Sequence, residues 1–127
     1  MTILDSNVWI ALLSEGDSNH KQACVIFDTI RGEIALPEYI VLEVCTVLTL
    51  KSSKKLALKF LEFAQDNQDV QLLSSDQHVF GAILKHYVAS GPIKLSFVDL
   101  ALVYFSRGYL VVTFDKQLKR FLAKRHA

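Results

Sequence analysis

The chain has 127 residues, of which 51% are hydrophobic and 21% are charged, and these values are typical of a globular domain with its own core. This composition excludes an intrinsically disordered protein, and we expect residues 1–127 to form one domain. The formal net charge of +1 excludes a strongly basic protein, so any surface that binds nucleic acid must be local.

No segment predicts a membrane protein or a secreted one. The longest apolar runs are much shorter than a membrane span, and Asp5 interrupts the N-terminal apolar run without a basic segment before it. The two cysteines, Cys24 and Cys45, lie far apart and show no zinc-binding spacing. We therefore predict a cytoplasmic protein that makes no contact with a membrane.

Apolar runs and helix-start signals alternate along the chain. The runs predict strands at residues 3–4, 33–36, 70–73 and 109–113. Helices are predicted at residues 8–13, from Asp17 or Ser18 to about 31, at 38–50, from Ser52 or Ser53 to about 64, from Ser75 or Asp76 to about 88, at 97–107 and at 117–124. This alternation predicts an α/β fold, in which a central parallel sheet of four strands lies between two layers of helices.

Carboxylates stand where this fold would form a ligand-binding crevice. Asp5 and Asp115 each follow a predicted strand, and the carboxyl ends of parallel strands lie at the same edge of a sheet. Asp99 lies near the start of the helix that leads back into the fourth strand, and Ser96 shares its helix face three residues earlier. Glu43 lies within an apolar helical stripe, where a lone charge is costly unless it is paired or binds a metal.

Such a group of carboxylates indicates a metal site. Three or four negative charges in one pocket repel each other, and a divalent cation removes that repulsion. Ligation by oxygen atoms alone favours Mg²⁺ or Mn²⁺ over zinc. A bound ion of this kind suits the hydrolysis of a phosphodiester, because it activates water and neutralises the charge that develops on the phosphate oxygens.

Four motifs in this order resemble those of a known family. They are residues 3–7 (Ile-Leu-Asp-Ser-Asn), Glu43, residues 95–99 (Leu-Ser-Phe-Val-Asp) and residues 112–115 (Val-Thr-Phe-Asp), and together they extend over most of the chain. With these motifs the sequence resembles the PIN-domain ribonucleases and, within that family, the stand-alone toxins of the VapC type. The resemblance implies metal-dependent cleavage of single-stranded RNA or RNA loops, a protein antitoxin as partner, and a homodimer.

The resemblance also assigns roles to individual residues. It implies a catalytic metal site for Mg²⁺ or Mn²⁺ that is formed by Asp5, Glu43, Asp99 and Asp115. It implies polar groups that orient these carboxylates, namely Asn7, Ser96 and Thr113. A fifth strand often completes the sheet in this family, and we expect it to be short or absent here, because the chain ends soon after the helix that follows Asp115.

Two lysines stand beside the last of these acids. Lys116 and Lys119 follow Asp115 in a C-terminal segment that contains no further acidic residue. A run of charge is usually a solvated face, but the position next to a predicted site residue favours contacts between these lysines and RNA phosphates.

Simpler interpretations exist for each acid. Asp5 is compatible with a cap of the following turn, Asp99 with a partner of its helix dipole, and Asp115 with a cap of the last helix. Glu43 would be a surface residue if the helix had a different phase, which the apolar pattern around it disfavours. For the whole chain, the alternative is a catalytically silent PIN-like module that binds RNA or protein, and the presence of all four acids argues against it. A phospho-acceptor receiver domain is disfavoured, because Ser6 rather than a second acid follows Asp5.

Overall fold

The computed structural model describes residues 1–125, and these form four strands and seven helices. The strands are β1 (Thr2–Leu4), β2 (Ile34–Pro37), β3 (Val70–Leu73) and β4 (Leu110–Val112). The helices are α1 (Ser6–Leu13), α2 (His20–Thr29), α3 (Glu38–Lys51), α4 (Lys54–Asp66), α5 (Gln77–Ala89), α6 (Phe97–Phe105) and α7 (Lys116–Arg125). None of the helices within residues 1–125 is long and apolar enough to cross a membrane.

The four strands form one parallel sheet in the order β3-β2-β1-β4. Ile3 of β1 lies beside Ala35 of β2 on one side and beside Val111 of β4 on the other. The predicted parallel sheet is therefore confirmed, and the described residues contribute four strands to it. Because β1 and β4 are neighbours that run in the same direction, the residues that follow them meet at one edge.

Helices cover both faces of this sheet. The strands β1, β2 and β3 follow one another in one direction across the sheet, and β4 returns to the far side of β1. Right-handed crossover connections therefore put α1 to α4 on one face, and α5 and α6 on the other. The predicted α/β/α arrangement is confirmed.

Trp9 forms the centre of the aromatic packing on the first of these faces. Its side chain is completely buried, and its ring meets Phe27, Phe60 and Phe63 at centroid distances of 6.5, 5.4 and 6.1 Å. These edge-on contacts are the favoured geometry for aromatic pairs. They join α1 to α2 and α4, and so fix the helix that begins directly after Asp5.

The predicted start of α2 was wrong. The prediction took Asp17 or Ser18 as the cap, but the Asp17 carboxylate accepts a hydrogen bond from the Asn19 N–H at 2.8 Å within a turn, and the helix begins at His20. The His20 Nδ1–H donates to the carbonyl oxygen of Ala11 at 2.7 Å. This contact satisfies a carbonyl in the last turn of α1, so the position of α2 depends on α1 rather than on a local cap.

The start of α4 was predicted from two adjacent serines, and Ser53 is the cap. Its hydroxyl accepts a hydrogen bond from the Leu56 N–H at 3.1 Å, whereas Ser52 ends α3. We expect Ser53→Ala to lower the free energy of unfolding by about 1 kcal/mol, because the N–H group loses its partner. Urea unfolding measures this change. Ser52→Ala is the matched control and should cost less than about 0.5 kcal/mol; equal losses in the two variants would contradict the assignment.

Candidate active site

Asp5 lies between β1 and α1, at the carboxyl edge of the sheet, and is only 4% exposed. Its Oδ1 accepts a hydrogen bond from the Ser6 N–H at 2.7 Å, and its Oδ2 accepts one from the Thr113 hydroxyl at 2.6 Å. The first of these bonds makes Asp5 the N-cap of α1. The simpler interpretation of Asp5 as a capping residue is therefore correct, and the same carboxylate is also held by Thr113, the residue that follows β4.

The ionised form of Asp5 is disfavoured in this position. Burial raises the pKa of Asp5 to about 6, although the hydrogen bonds from Thr113 and Ser6 act in the opposite direction. The negative charges of Asp99 and Glu43 raise this pKa further. No positive side chain in the described part of the chain acts on Asp5. The structure thus brings three of the four predicted acids together, and no lysine or arginine within residues 1–125 offsets their repulsion at Asp5.

Glu43 reaches this group through Ser6. The Ser6 hydroxyl donates a hydrogen bond to Glu43 Oε1 and lies 3.5 Å from Asp5 Oδ1. Glu43 is half-buried on α3, where it lines an apolar cleft with Tyr39 and Val98. No role was predicted for Ser6, because its contact with Glu43 spans 37 residues and its only local signal is its position directly after Asp5.

Asp99 lies in the first turn of α6 and is oriented by its own helix start. The Ser96 hydroxyl accepts from the Asp99 N–H at 3.0 Å, and the Ser96 N–H donates to Asp99 Oδ2 at 3.1 Å. This reciprocal pair is a capping box. Ser96 therefore holds the carboxylate through its backbone rather than through its hydroxyl. The second oxygen, Oδ1, has no hydrogen-bond partner within residues 1–125.

The Asp115 side chain forms no hydrogen bond with the other acids within residues 1–125. Its side chain is exposed, and its Oδ1 accepts a hydrogen bond from the Leu118 N–H at 2.9 Å, which caps α7. Its charge is not among those that act on Asp5. The simpler interpretation of Asp115 as a capping residue therefore describes its contacts, and its part in a metal site remains a prediction.

Asn7 reaches Asp5 through Thr113, and within residues 1–125 its side chain forms no direct hydrogen bond with any of the four acids. Its side-chain amide donates to the Thr113 hydroxyl at 3.2 Å, and its Oδ1 accepts from the Phe114 N–H at 3.1 Å. The Thr113 oxygen also accepts from the Asp115 N–H at 3.0 Å. Because a hydroxyl has one proton, these two donors leave that proton for Asp5. Asn7 thus orients the carboxylate indirectly, through Thr113.

The two predicted RNA-binding lysines lie on α7. Lys116 is its first residue and Lys119 follows one turn later, and both side chains are exposed. Lys119 lines a cleft together with Thr113 and Phe114. Both lysines are therefore accessible to solvent, and Lys119 is adjacent to the segment that orients Asp5.

The donor set fits a hard divalent cation. Asp5, Glu43 and Asp99 offer only carboxylate oxygens, which suit Mg²⁺ or Mn²⁺, and a cation would relieve the repulsion that raises the pKa of Asp5. Within residues 1–125, however, no three acidic, histidine or cysteine side chains already enclose a position for a metal ion. The acids are neighbours that share one edge, and they do not form a closed set of ligands.

Comparison with known proteins identifies relatives of this fold. The family model described as PIN domain matches residues 2–123. The crystal structure of Mycobacterium tuberculosis VapC20, a toxin that cleaves the Sarcin-Ricin loop, superimposes with a TM-score of 0.84 over 94% of each chain, at 17% sequence identity. At this identity the match shows a common fold. No protein with a curated description matches the chain in a sequence search.

Removal of the buried charge should stabilise the metal-free protein. Asp5 has a pKa of about 6 when folded and an ordinary value of 3.8, so its ionisation disfavours the folded state above about pH 6 and has no effect below about pH 4. We expect Asp5→Asn to raise the free energy of unfolding in EDTA at about pH 7.5 by less than the full value of about 3 kcal/mol, because the Asn amide nitrogen cannot accept from the Thr113 hydroxyl, and the gain should fall steadily towards pH 4.

Thermal unfolding across this pH range measures the effect. Asp28→Asn, which removes an exposed carboxylate from α2, is the matched control and should show no such pH dependence. Added Mn²⁺ or Mg²⁺ should raise the Tm of the natural protein and not that of Asp5→Asn. A variant that is less stable than the natural protein at neutral pH would contradict the electrostatic account of Asp5.

Proposed function

The chain belongs to the PIN domain family, and on this basis we propose that it is a metal-dependent endoribonuclease that acts as the toxin of a toxin–antitoxin pair. The observation that carries the proposal is the buried Asp5, on which the negative charges of Asp99 and Glu43 act and no positive side chain of residues 1–125 does. The common fold with VapC20, a toxin that cleaves the Sarcin-Ricin loop, supports the same function.

In this proposal Asp5, Glu43 and Asp99 hold Mg²⁺ or Mn²⁺, and Asp115 completes the acidic set. When bound, the ion supplies activation of water and neutralisation of charge on the phosphate. The chain's own residues fix the ligands before the ion arrives: Thr113 and the Ser6 N–H hold the two oxygens of Asp5, as their hydrogen bonds indicate. The Ser6 hydroxyl holds Glu43, and the Ser96 N–H holds Asp99.

The proposed substrate is RNA, which Lys116 and Lys119 contact through its phosphates. The formal net charge is only +1, so attraction to RNA depends on local groups of this kind. Their exposure and the position of Lys119 beside Thr113 and Phe114 support this role. An RNA strand bound there would pass the edge of the sheet at which the acids lie.

The proposed partners are a protein antitoxin and a second copy of the chain, in the cytoplasm. Leu42 and Leu50 on α3 are 66% and 79% exposed, and apolar side chains so accessible on one helix support a protein partner. We also propose that residues 1–127 form a single domain, which the family match over residues 2–123 supports.

A catalytically silent PIN-like module is the second candidate. It is favoured by one observation, namely that the described acids do not already enclose a metal position. The two candidates differ in a single measurable property, since only the nuclease consumes RNA when Mg²⁺ or Mn²⁺ is added.

We expect the protein to cleave a loop-containing RNA when Mg²⁺ or Mn²⁺ is present. EDTA and the variant Asp5→Asn should both abolish this cleavage, because EDTA removes the ion and the variant removes one of its ligands. Thr113→Val should reduce the rate by about 10- to 100-fold, since Asp5 loses its oriented donor. Gel analysis of a labelled RNA measures the rate, and Asp28→Asn is the control with full activity. Cleavage that persists in EDTA and in the Asp5→Asn variant would contradict the metal mechanism. If neither ion supports cleavage, the catalytically silent module is favoured.

The lysines should govern how RNA binding depends on salt. In an Asp5→Asn background, the double change Lys116→Ala and Lys119→Ala should reduce the slope of log K against log salt concentration by about 1.4, because two phosphate contacts to a single strand are lost. Fluorescence anisotropy of a labelled RNA gives this slope. The control pair, Lys54→Ala and Lys55→Ala on α4, should leave it unchanged. An unaltered slope in the α7 variant would exclude these contacts.

A further inference from the structure

The strand β4 forms an open edge of the sheet. Within residues 1–125 it pairs with β1 alone. The Leu110 N–H donates to the Met1 carbonyl at 3.1 Å, and the Val112 carbonyl accepts from the Asp5 N–H at 2.9 Å, so both residues direct these groups towards β1. Backbone groups alternate in direction along a strand, and the N–H and carbonyl of Val111 therefore point away from the sheet. Such an unpaired donor and acceptor form a template for another strand.

Apolar clefts flank this edge. One, of about 390 Å³, is lined by Tyr109 and Leu110, and the other, of about 240 Å³, by Ile26 and Phe114. Val111 and Leu122 contribute to both clefts, so the clefts meet at the open strand, between α2 and α7. Leu110 is 67% exposed. An added strand could bury alternate apolar side chains here, as extended peptides do when they extend a sheet.

The charge beside the edge indicates the partner. Helix α7 carries five basic residues and no acidic one over its described length: Lys116, Lys119, Arg120, Lys124 and Arg125. Lys119 lines the smaller cleft. A second copy of β4 would bring two basic α7 helices towards each other, which like-charge repulsion disfavours. An acidic segment would instead meet complementary charge.

We propose that the open edge of β4 binds an extended, acidic segment of a partner protein as a fifth strand. The backbone of the segment pairs with the N–H and carbonyl of Val111, its apolar side chains enter the two clefts, and a carboxylate contacts Lys119. A helix cannot occupy this edge in the same way, because its backbone groups are bonded within the helix. This surface adjoins the acidic site, because Thr113 lines the smaller cleft and also holds Asp5, and its occupation would compete with RNA for Lys119.

Hydrogen exchange at one amide tests the proposal. The probe is an acetylated peptide, Glu-Val-Glu-Val-Glu-Val-Glu, added to the full ¹⁵N-labelled chain, with Lys-Val-Lys-Val-Lys-Val-Lys as its matched control. We expect the acidic peptide to slow exchange of the Val111 amide by about tenfold or more, because that N–H gains an acceptor. The Leu110 amide should not change, since it already donates to Met1.

Charge variants test the proposed contact between Lys119 and a carboxylate of the partner. Lys119→Glu should weaken binding of the acidic peptide about fivefold, whereas Lys85→Glu, which makes the same change on exposed α5, should leave it unaltered. The proposal is overturned if the acidic peptide does not protect Val111, or if the basic peptide protects it equally. Protection that rises with protein concentration in the absence of peptide would overturn it in favour of a second copy of the chain. Protection by oligouridine but not by peptide would overturn it in favour of an RNA.

Discussion

The hydrogen bond from the Thr113 hydroxyl to Asp5 joins the two ends of the chain at the point where the site forms. It depends on the parallel pairing of β1 with β4, which brings residues that follow both strands to one edge. Asn7 and the Asp115 N–H fix the direction of that hydroxyl, so the bond is part of a small network rather than an isolated contact. Without the network, the buried carboxylate of Asp5 would lose one of its two donors, and burial of an unsatisfied charge is costly.

The same carboxylate shows how stability and function oppose each other in this chain. Asp5 caps α1, which stabilises the fold, yet its charge is buried near Asp99 and Glu43, which destabilises it. A site for a divalent cation needs such an arrangement, because ligands that were already neutralised by lysine or arginine would gain little from an ion. The electrostatic cost in the metal-free chain is therefore a requirement of the proposed chemistry.

The sequence predicted the sheet and most helices because their signals are local. Apolar runs that end at polar residues marked β1 and β4, and the capping box of Ser96 and Asp99 is itself a pattern of two residues three apart. The gathering of Asp5 and Asp99 followed from parallel topology. The contact between Ser6 and Glu43 corresponds to no local sequence pattern, because it depends on how α1 and α3 pack.

Two other differences have the same origin. The start of α2 is fixed by the contact between His20 and Ala11, across a loop, so that capping signals at Asp17 misled the prediction. Asn7 was expected from the resemblance to orient a carboxylate, and it reaches Asp5 only through Thr113, because the first turn of α1 directs it towards that residue. In each case a tertiary contact decided between local alternatives that the sequence left equal.

The bond between Thr113 and Asp5 spans 108 residues, which has a consequence for the order in which the protein folds. Contacts of such long sequence separation form only after the intervening chain has been ordered. A chain in which β4 is not yet ordered lacks the neighbour of β1 whose continuation holds Asp5. The buried acid is therefore oriented late in folding, after the sheet has formed around β1.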